Sequence, residues 1–450
     1  MKKLFANSAI TCIIIVSSFS IWLAGNLGAF GLNKIVFDVI SYHSYVPAVF
    51  IKKDLSLKFF KDSADVYVNK NMYWPNFTSD KKPIIKTTYG LSLMYLPFTI
   101  WPILFDTKKQ LNGYELPFSI GISVSTLFYF ILSLFVLYKL LSALRFSNLS
   151  IGFTILTLGL GTNLLSYVSI SIGMPHAYNF FLVTCLLYLS WLWHQQPKIY
   201  KSFLLGIVIG LLILIRPTNI LFALCFFLFK KKEEKFHLSN LFKAWKHLFL
   251  IVLTSFLILL PQLFYWKYIT GEYLFNSYVN EHFYFNNPHI IQYLAGFRKG
   301  WFIYSPLILL GLWGLYYSKK TNPFLIATLI IIPVLVFLNS SWWCWWFGGG
   351  HGARAMIETY PLIAIGFASF FDHFFILKKK IVIAFSIFMI LFNIKSVDLY
   401  RANIIHYDSM TYKAFMYTSL KILFSPEDKI YLKTIYQKPN YEKAIVGLDT

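Results

Sequence analysis

The chain has 450 residues, enough for about three soluble domains of ~150 residues each, yet 57% of it is apolar and only 13% is charged. An ordinary soluble protein carries about 25% charged residues. A soluble enzyme is thereby excluded, as is a disordered chain, which would be far less apolar. The net charge of +22 does not indicate nucleic acid, because the basic residues fall between apolar runs, where they orient helices and meet anionic headgroups. The expected class is an all-α polytopic membrane protein.

A helix crosses ~30 Å of hydrocarbon with about 20 apolar residues. In chain order, runs at 8–27, 118–141, 150–169, 178–193, 202–215, 217–229, 248–266, 301–317, 322–339, 355–375 and 381–397 predict eleven crossings. The first follows Met1-Lys2-Lys3 and has no small-residue cleavage site, so it reads as a retained span. The stretch 91–105 is interrupted by Pro97 and Pro102 and suits an interfacial or re-entrant helix. The two short runs around Arg216-Pro217 predict a shallow hairpin with that pair at its tip.

Lysine placement supports this layout. With the amino terminus inside, Lys2, Lys3, Lys139, Arg145, Lys198, Lys201, Lys230, Lys231, Lys232, Lys235, Lys243, Lys246, Lys319, Lys320, Lys378, Lys379 and Lys380 lie inside. Short outer segments hold only Arg216, Lys267, Arg298, Lys299 and Arg354. Counting 91–105 as a crossing would reverse the bias, so 28–117 becomes one large outer loop. The expected organisation is a membrane domain over 1–397 and a short outer tail over 398–450. Cys12, Cys185, Cys225 and Cys344 form no CxxC pair, so neither a disulfide framework nor a zinc site is expected.

In this topology the unusual polar residues share one face. Asp38, Tyr42 and Tyr45 are spaced i, i+4, i+7, which places them on one side of an interfacial helix, with His43 off that stripe. Asp38 can also cap a helix or pair with Lys34. Lys86, then His176 in a later turn, join the same side. Arg216 lies deep enough to need a partner or a ligand, or else to snorkel to headgroups. The loop 267–300 carries Glu272, Glu281, His282, His289, Arg298 and Lys299; Arg298 and Lys299 suit either an interfacial anchor or a phosphate. Trp342, Trp343, Trp345 and Trp346 precede Gly348-Gly349-Gly350 and His351, glycines that permit close approach to a phosphate or a sugar. Glu358, one α-helical turn beyond Arg354, is expected to pair with it.

These residues resemble the GT-C superfamily of polytopic glycosyltransferases, particularly bacterial members of the protein mannosyltransferase and aminoarabinose transferase groups. The likeness covers about 33–361 and rests on Asp38 in FDVISYHSYVPA, Lys82-Pro83 with Lys86-Thr87-Thr88-Tyr89-Gly90, GLLILIRPTNI around Arg216, and Arg354 in a late outer loop. Val39 stands where the family often has a second acidic residue, and no large carboxy-terminal domain follows. The resemblance implies a sugar donor linked to polyprenyl phosphate, used at the outer face of a bacterial cytoplasmic membrane, with a lipid, protein or glycan acceptor. No resident cofactor is expected, and a role for a divalent ion stays open. Departure of a phosphate calls for charge stabilisation more than for a general acid, for which Arg216, Lys86, Arg298, Lys299 and Arg354 are candidates. Asp38 is the expected base, and single displacement would invert the anomeric centre. The alternatives are a flippase or carrier for lipid-linked saccharides and a noncatalytic envelope-assembly protein.

Overall fold

The computed structural model describes residues 7–31, 34–58, 76–78, 80–105, 111–230, 244–278 and 281–448. Lys2, Lys3, Lys231, Lys232, Lys235 and Lys243 of the charge argument lie outside the described residues. The architecture is all-α, and a two-residue ladder between β1 (Asn76–Phe77) and β2 (Pro83–Ile84) is the one sheet among the described residues. Among the described residues three helices are long and apolar enough to cross a membrane: α1 (Ser8–Asn26), Leu116–Ala143 and Trp245–Thr270.

After α1 comes the short α2 (Asp38–His43), then α3 (Gly90–Thr99), α4 (Leu116–Ala143), α5 (Asn148–Leu160) and α6 (Pro175–Gln195). Next are α7 (Ile199–Ile215), α8 (Trp245–Thr270), α9 (Ile308–Tyr317), α10 (Leu325–Ser340), α11 (Tyr360–Arg401), α12 (Tyr412–Leu420) and α13 (Pro426–Ile435). Contacts between helix ends sort the bundle into two ends. At one, Asn7 donates to the Tyr138 hydroxyl (3.1 Å), the Ser147 hydroxyl to Asp372 (2.6 Å), and Tyr317 stacks on His373 (4.1 Å). His194 stacks on Phe229 (4.1 Å), which meets Phe324, and Ser202 bonds His247 (2.8 Å) at that same end. At the other end Ser119 donates to the Gly31 carbonyl (2.9 Å), His43 meets the Gly113 carbonyl, and Asn163 bonds Ser305 and Tyr360.

Local sequence explains the turns. After Arg216 the chain returns through a 3-10 helix, Pro217–Ala223, and a short α-turn, Leu224–Phe227. A 3-10 helix rises ~2.0 Å per residue against 1.5 Å, so this short segment still carries the chain from Arg216 to Phe229 beside His194. Gly206 and Gly210, four apart, let α7 lie flat on α8: a Cβ at Gly206 would overlap the Thr254 side chain, and one at Gly210 would meet Ser255 and Ile258. Small residues at this spacing are how helices approach closely without a hydrophobic drive. In α11 only Lys378 is non-helical (φ −143°, ψ 41°), and there the chain doubles back. Tyr360 reaches Asn163 at 2.5 Å, while Asn393 donates to the Leu160 and Thr162 carbonyls at 2.7 and 2.9 Å. In a straight helix those two residues would stand about 50 Å apart.

The stretch 91–105 stays beside the second end. Gly90 sits against Ile215, and Phe98 packs on Phe128 and Tyr129 of α4. The expected stripe through Tyr45 is interrupted. After the helix Asp38–His43 and a turn at Ser44, Pro47, which has no N–H to donate, opens a wide π-helix, Pro47–Ile51. Tyr45 is buried, donates to the Thr87 carbonyl (2.9 Å) and packs against Tyr265 of α8.

Candidate functional site

The second end gathers the polar residues. Asp38 opens α2, placed by Phe37, whose positive φ of 52° turns the chain into the helix. Its carboxylate is 53% exposed and lies 3.9 Å from Arg354 Nη2, whereas Lys34 bonds the Leu27 carbonyl instead. Arg354 also donates through Nη1 to the Gly349 carbonyl (2.9 Å), so one guanidinium joins the glycine loop to the Asp38 rim. Tyr42, one turn after Asp38, sits among Asp38, Tyr278, Arg216 and Arg354; burial first, and Asp38 next, keep its hydroxyl protonated well above its usual range.

Below this rim lies a closed cluster. Arg216 ends α7 and donates from Nη1 to both Glu358 oxygens (2.9 and 3.1 Å). Asn179 donates to Glu358 Oε1 (3.0 Å), and His176 Nδ1 stands 3.5 Å from the same oxygen. Glu358 is 1% exposed. Its expected partner Arg354 is replaced by Arg216, and the cause is local. Arg354–Thr359 is a 3-10 helix, whose three-residue turn rotates position i+4 away from position i. Deep carboxylate and guanidinium thus satisfy one another, the arrangement a buried ion pair requires.

The flanks are anchored differently. Lys86 pairs with Glu281 at 2.5 Å and lies over the Tyr278 ring (4.6 Å), and Glu281 accepts from Trp343 Nε1 (3.0 Å). Arg298 lies over Trp346 (5.2 Å). Trp345 is buried and faces His289. Lys299 is buried and donates to the Gly350 carbonyl. Burial, with repulsion from Arg354, lowers its ammonium to about 7. His351 is locked between Ser166 (2.8 Å) and Ser396 (3.0 Å), and burial lowers it to about 3. His43 is also buried, bonded to the Gly113 carbonyl (2.7 Å) and packed against Tyr114, with burial lowering it to about 4. The two imidazoles are therefore neutral and held by the scaffold.

The structure draws Asp38, Tyr42 and Arg354 together above Arg216, His176 and Glu358. Lys86 joins through Tyr278, which also feels Asp38, Arg216 and Arg354. Lys299 and His351 support the glycine loop from behind. Sequence reasoning passes over Asn179 and Tyr278 and sees Glu281 only as one charged loop residue. Asn179 had a usable signal, since it follows His176 by three residues at the start of an apolar helix. Among the described residues, no group of three or more His, Cys, Asp or Glu side chains could hold a metal ion. The arrangement can bind an anion at Arg354 and accept a proton at Asp38. No protein-family model and no curated protein matches the chain.

Proposed function

We propose that the chain is a polytopic membrane glycosyltransferase that takes a sugar from a polyprenyl-phosphate donor at the outer face of a bacterial cytoplasmic membrane. Eleven crossings are supported by the alternation of helix ends: each of the runs read from the sequence leaves one end of the bundle and arrives at the other. The lysine-bearing end then faces the cytoplasm, and Asp38 faces outward.

The observation that carries the reading is the contrast between the carboxylates. Glu358 is consumed by Arg216 and Asn179, while Asp38 is solvent-exposed with one loosely placed guanidinium beside it. In the proposed reaction Asp38 takes the proton of the acceptor hydroxyl as its oxygen attacks the anomeric carbon. The bond from that carbon to the phosphate oxygen breaks, the electron pair leaves with the phosphate, and Arg354 offsets the charge with Arg216 behind it. Attack from the face opposite the phosphate inverts the centre. The aromatic wall of Tyr42, Tyr278 and Trp343 offers flat surfaces to a sugar ring.

Membranes holding the Asp38→Asn variant test this directly with a labelled polyprenyl-phosphate sugar. Transfer is expected to fall by ~10²–10⁴-fold, the usual worth of a positioned base, while the protein remains inserted. Undiminished transfer removes Asp38 from the mechanism.

A further inference from the structure

The tail after α11 closes on itself in a way the site does not use. Leu399, Ile404, Ile405, Met410, Ala414 and Leu432 bury one face of the α12–α13 hairpin against Tyr304. The turn joining the two helices is braced: Lys421 bonds Asp428 at 2.5 Å, and Ser425 and Asp428 form a capping box at the start of α13. On this ordered tip, outside the small core, stand Leu420, Ile422 and Leu423, at 78%, 81% and 82% exposure. Apolar side chains held outward on a braced turn mark an interaction surface.

The neighbour of the tip says what covers it. Lys395 donates to the Ser419 carbonyl at 2.7 Å, so the tip lies beside α11 almost two turns before its end, not above it. Lys395 follows Leu391 by four residues and Phe388 by seven, and so continues their stripe. Phe388 and Leu391 are exposed on a helix that the bundle leaves facing outward. That apolar stripe runs up α11 to Lys395, whose bond to Ser419 sets it beside the segment that carries Leu420, Ile422 and Leu423. The Lys395 ammonium, reaching up to a tail carbonyl, sits where a snorkelling lysine marks the boundary between acyl chains and headgroups.

We infer that the α12–α13 tip is a monotopic membrane contact, with Leu420, Ile422 and Leu423 inserted at the acyl–headgroup boundary of the leaflet next to the site. Such insertion typically reaches ~5–10 Å. It fixes the tail, and with it Tyr441 and Asp408, over the tryptophan loop. Tyr441 donates to Asp408 (2.8 Å) and accepts from Trp346 (3.4 Å), so the lipid contact and the loop 340–358 become one assembly. The inference depends on embedding in a bilayer and not on any transfer chemistry.

The test uses the full chain in nanodiscs of phosphatidylethanolamine and phosphatidylglycerol, with bimane attached at Leu423→Cys and, as a control, at exposed Lys438→Cys. Cys12, Cys225 and Cys344 are buried and Cys185 half-buried, so the introduced thiol takes the label. At 423, quenching by a lipid with a shallow acyl-chain nitroxide is expected to be several-fold stronger than at 438, and quenching by aqueous iodide several-fold weaker. Ile422→Cys gives the same readout if Leu423→Cys disturbs the tip. Iodide reaching the tip as freely as the control overturns the inference. Shielding from both quenchers also overturns it, because a protein surface and not lipid would then cover the tip.

Discussion

Asp38 and Glu358 occupy the same end of the bundle and differ in almost everything else. Asp38 sits on a six-residue helix at the rim, half in solvent, with its nearest cation at the outer limit of an ion pair. Glu358 sits on a 3-10 turn beneath it, closed from solvent, with three partners. A buried carboxylate held by a guanidinium and an amide is engaged in structure; a loosely held, exposed one is free to take a substrate proton. The pair shows how one pocket separates a group that keeps shape from a group that can act.

That contrast can be broken or sharpened by a series of variants read by thermal melting in detergent. Glu358→Ala leaves the Arg216 guanidinium uncompensated and is expected to cost about 3–5 kcal/mol, the usual cost of breaking a buried pair from one side; a melting temperature unchanged from wild type would show that water already satisfies Arg216. Asn179→Ala removes one hydrogen bond to the same carboxylate and should cost about 1.5–3 kcal/mol. Lys86→Ala breaks a half-exposed pair with Glu281, for which about 0.2–1 kcal/mol is expected. Asp38→Asn should move stability by no more than about 0.5 kcal/mol. Stability and transfer activity then rank Asp38 and Glu358 in opposite order, and a destabilised Asp38→Asn protein would collapse the distinction.

Lys299 adds a pH arm. Its ammonium falls from 10.5 in the free side chain to about 7, so between those values the unfolded chain binds more protons than the folded one. Stability should therefore rise as pH increases across that window and fall as pH drops through about 7. Lys299→Met should flatten the slope, which melting curves of the two proteins at matched pH values would reveal.

Much of the fold was legible because long apolar runs and interrupting lysines are strong local signals. Arg216 at the tip of a short hairpin could be anticipated from Pro217 and from the charge itself. The pairing of Glu358 could not, since the i+4 rule assumes an α-helix and the segment is 3-10. Tyr45 left its expected face for partners far along the chain, Thr87, Gln262 and Tyr265. The histidines His43 and His351 look chemically versatile in a sequence, but whether an imidazole faces a cleft or is held by a carbonyl or a serine depends on segments 45 to 185 residues away. Asn179 escaped notice because an amide gains importance only through the carboxylate it meets.

The reversal at Lys378 bears on how the chain is made. One non-helical residue suffices to fold α11 back on itself, so in the proposed topology its two halves would leave the ribosome as a connected pair and enter lipid together. In the proposed topology Lys378, Lys379 and Lys380 at the apex would act as a stop that keeps the apex on the side of synthesis. In that topology late biogenesis, and with it the delivery of the tail to the far side, would rest on three consecutive cations at one bend.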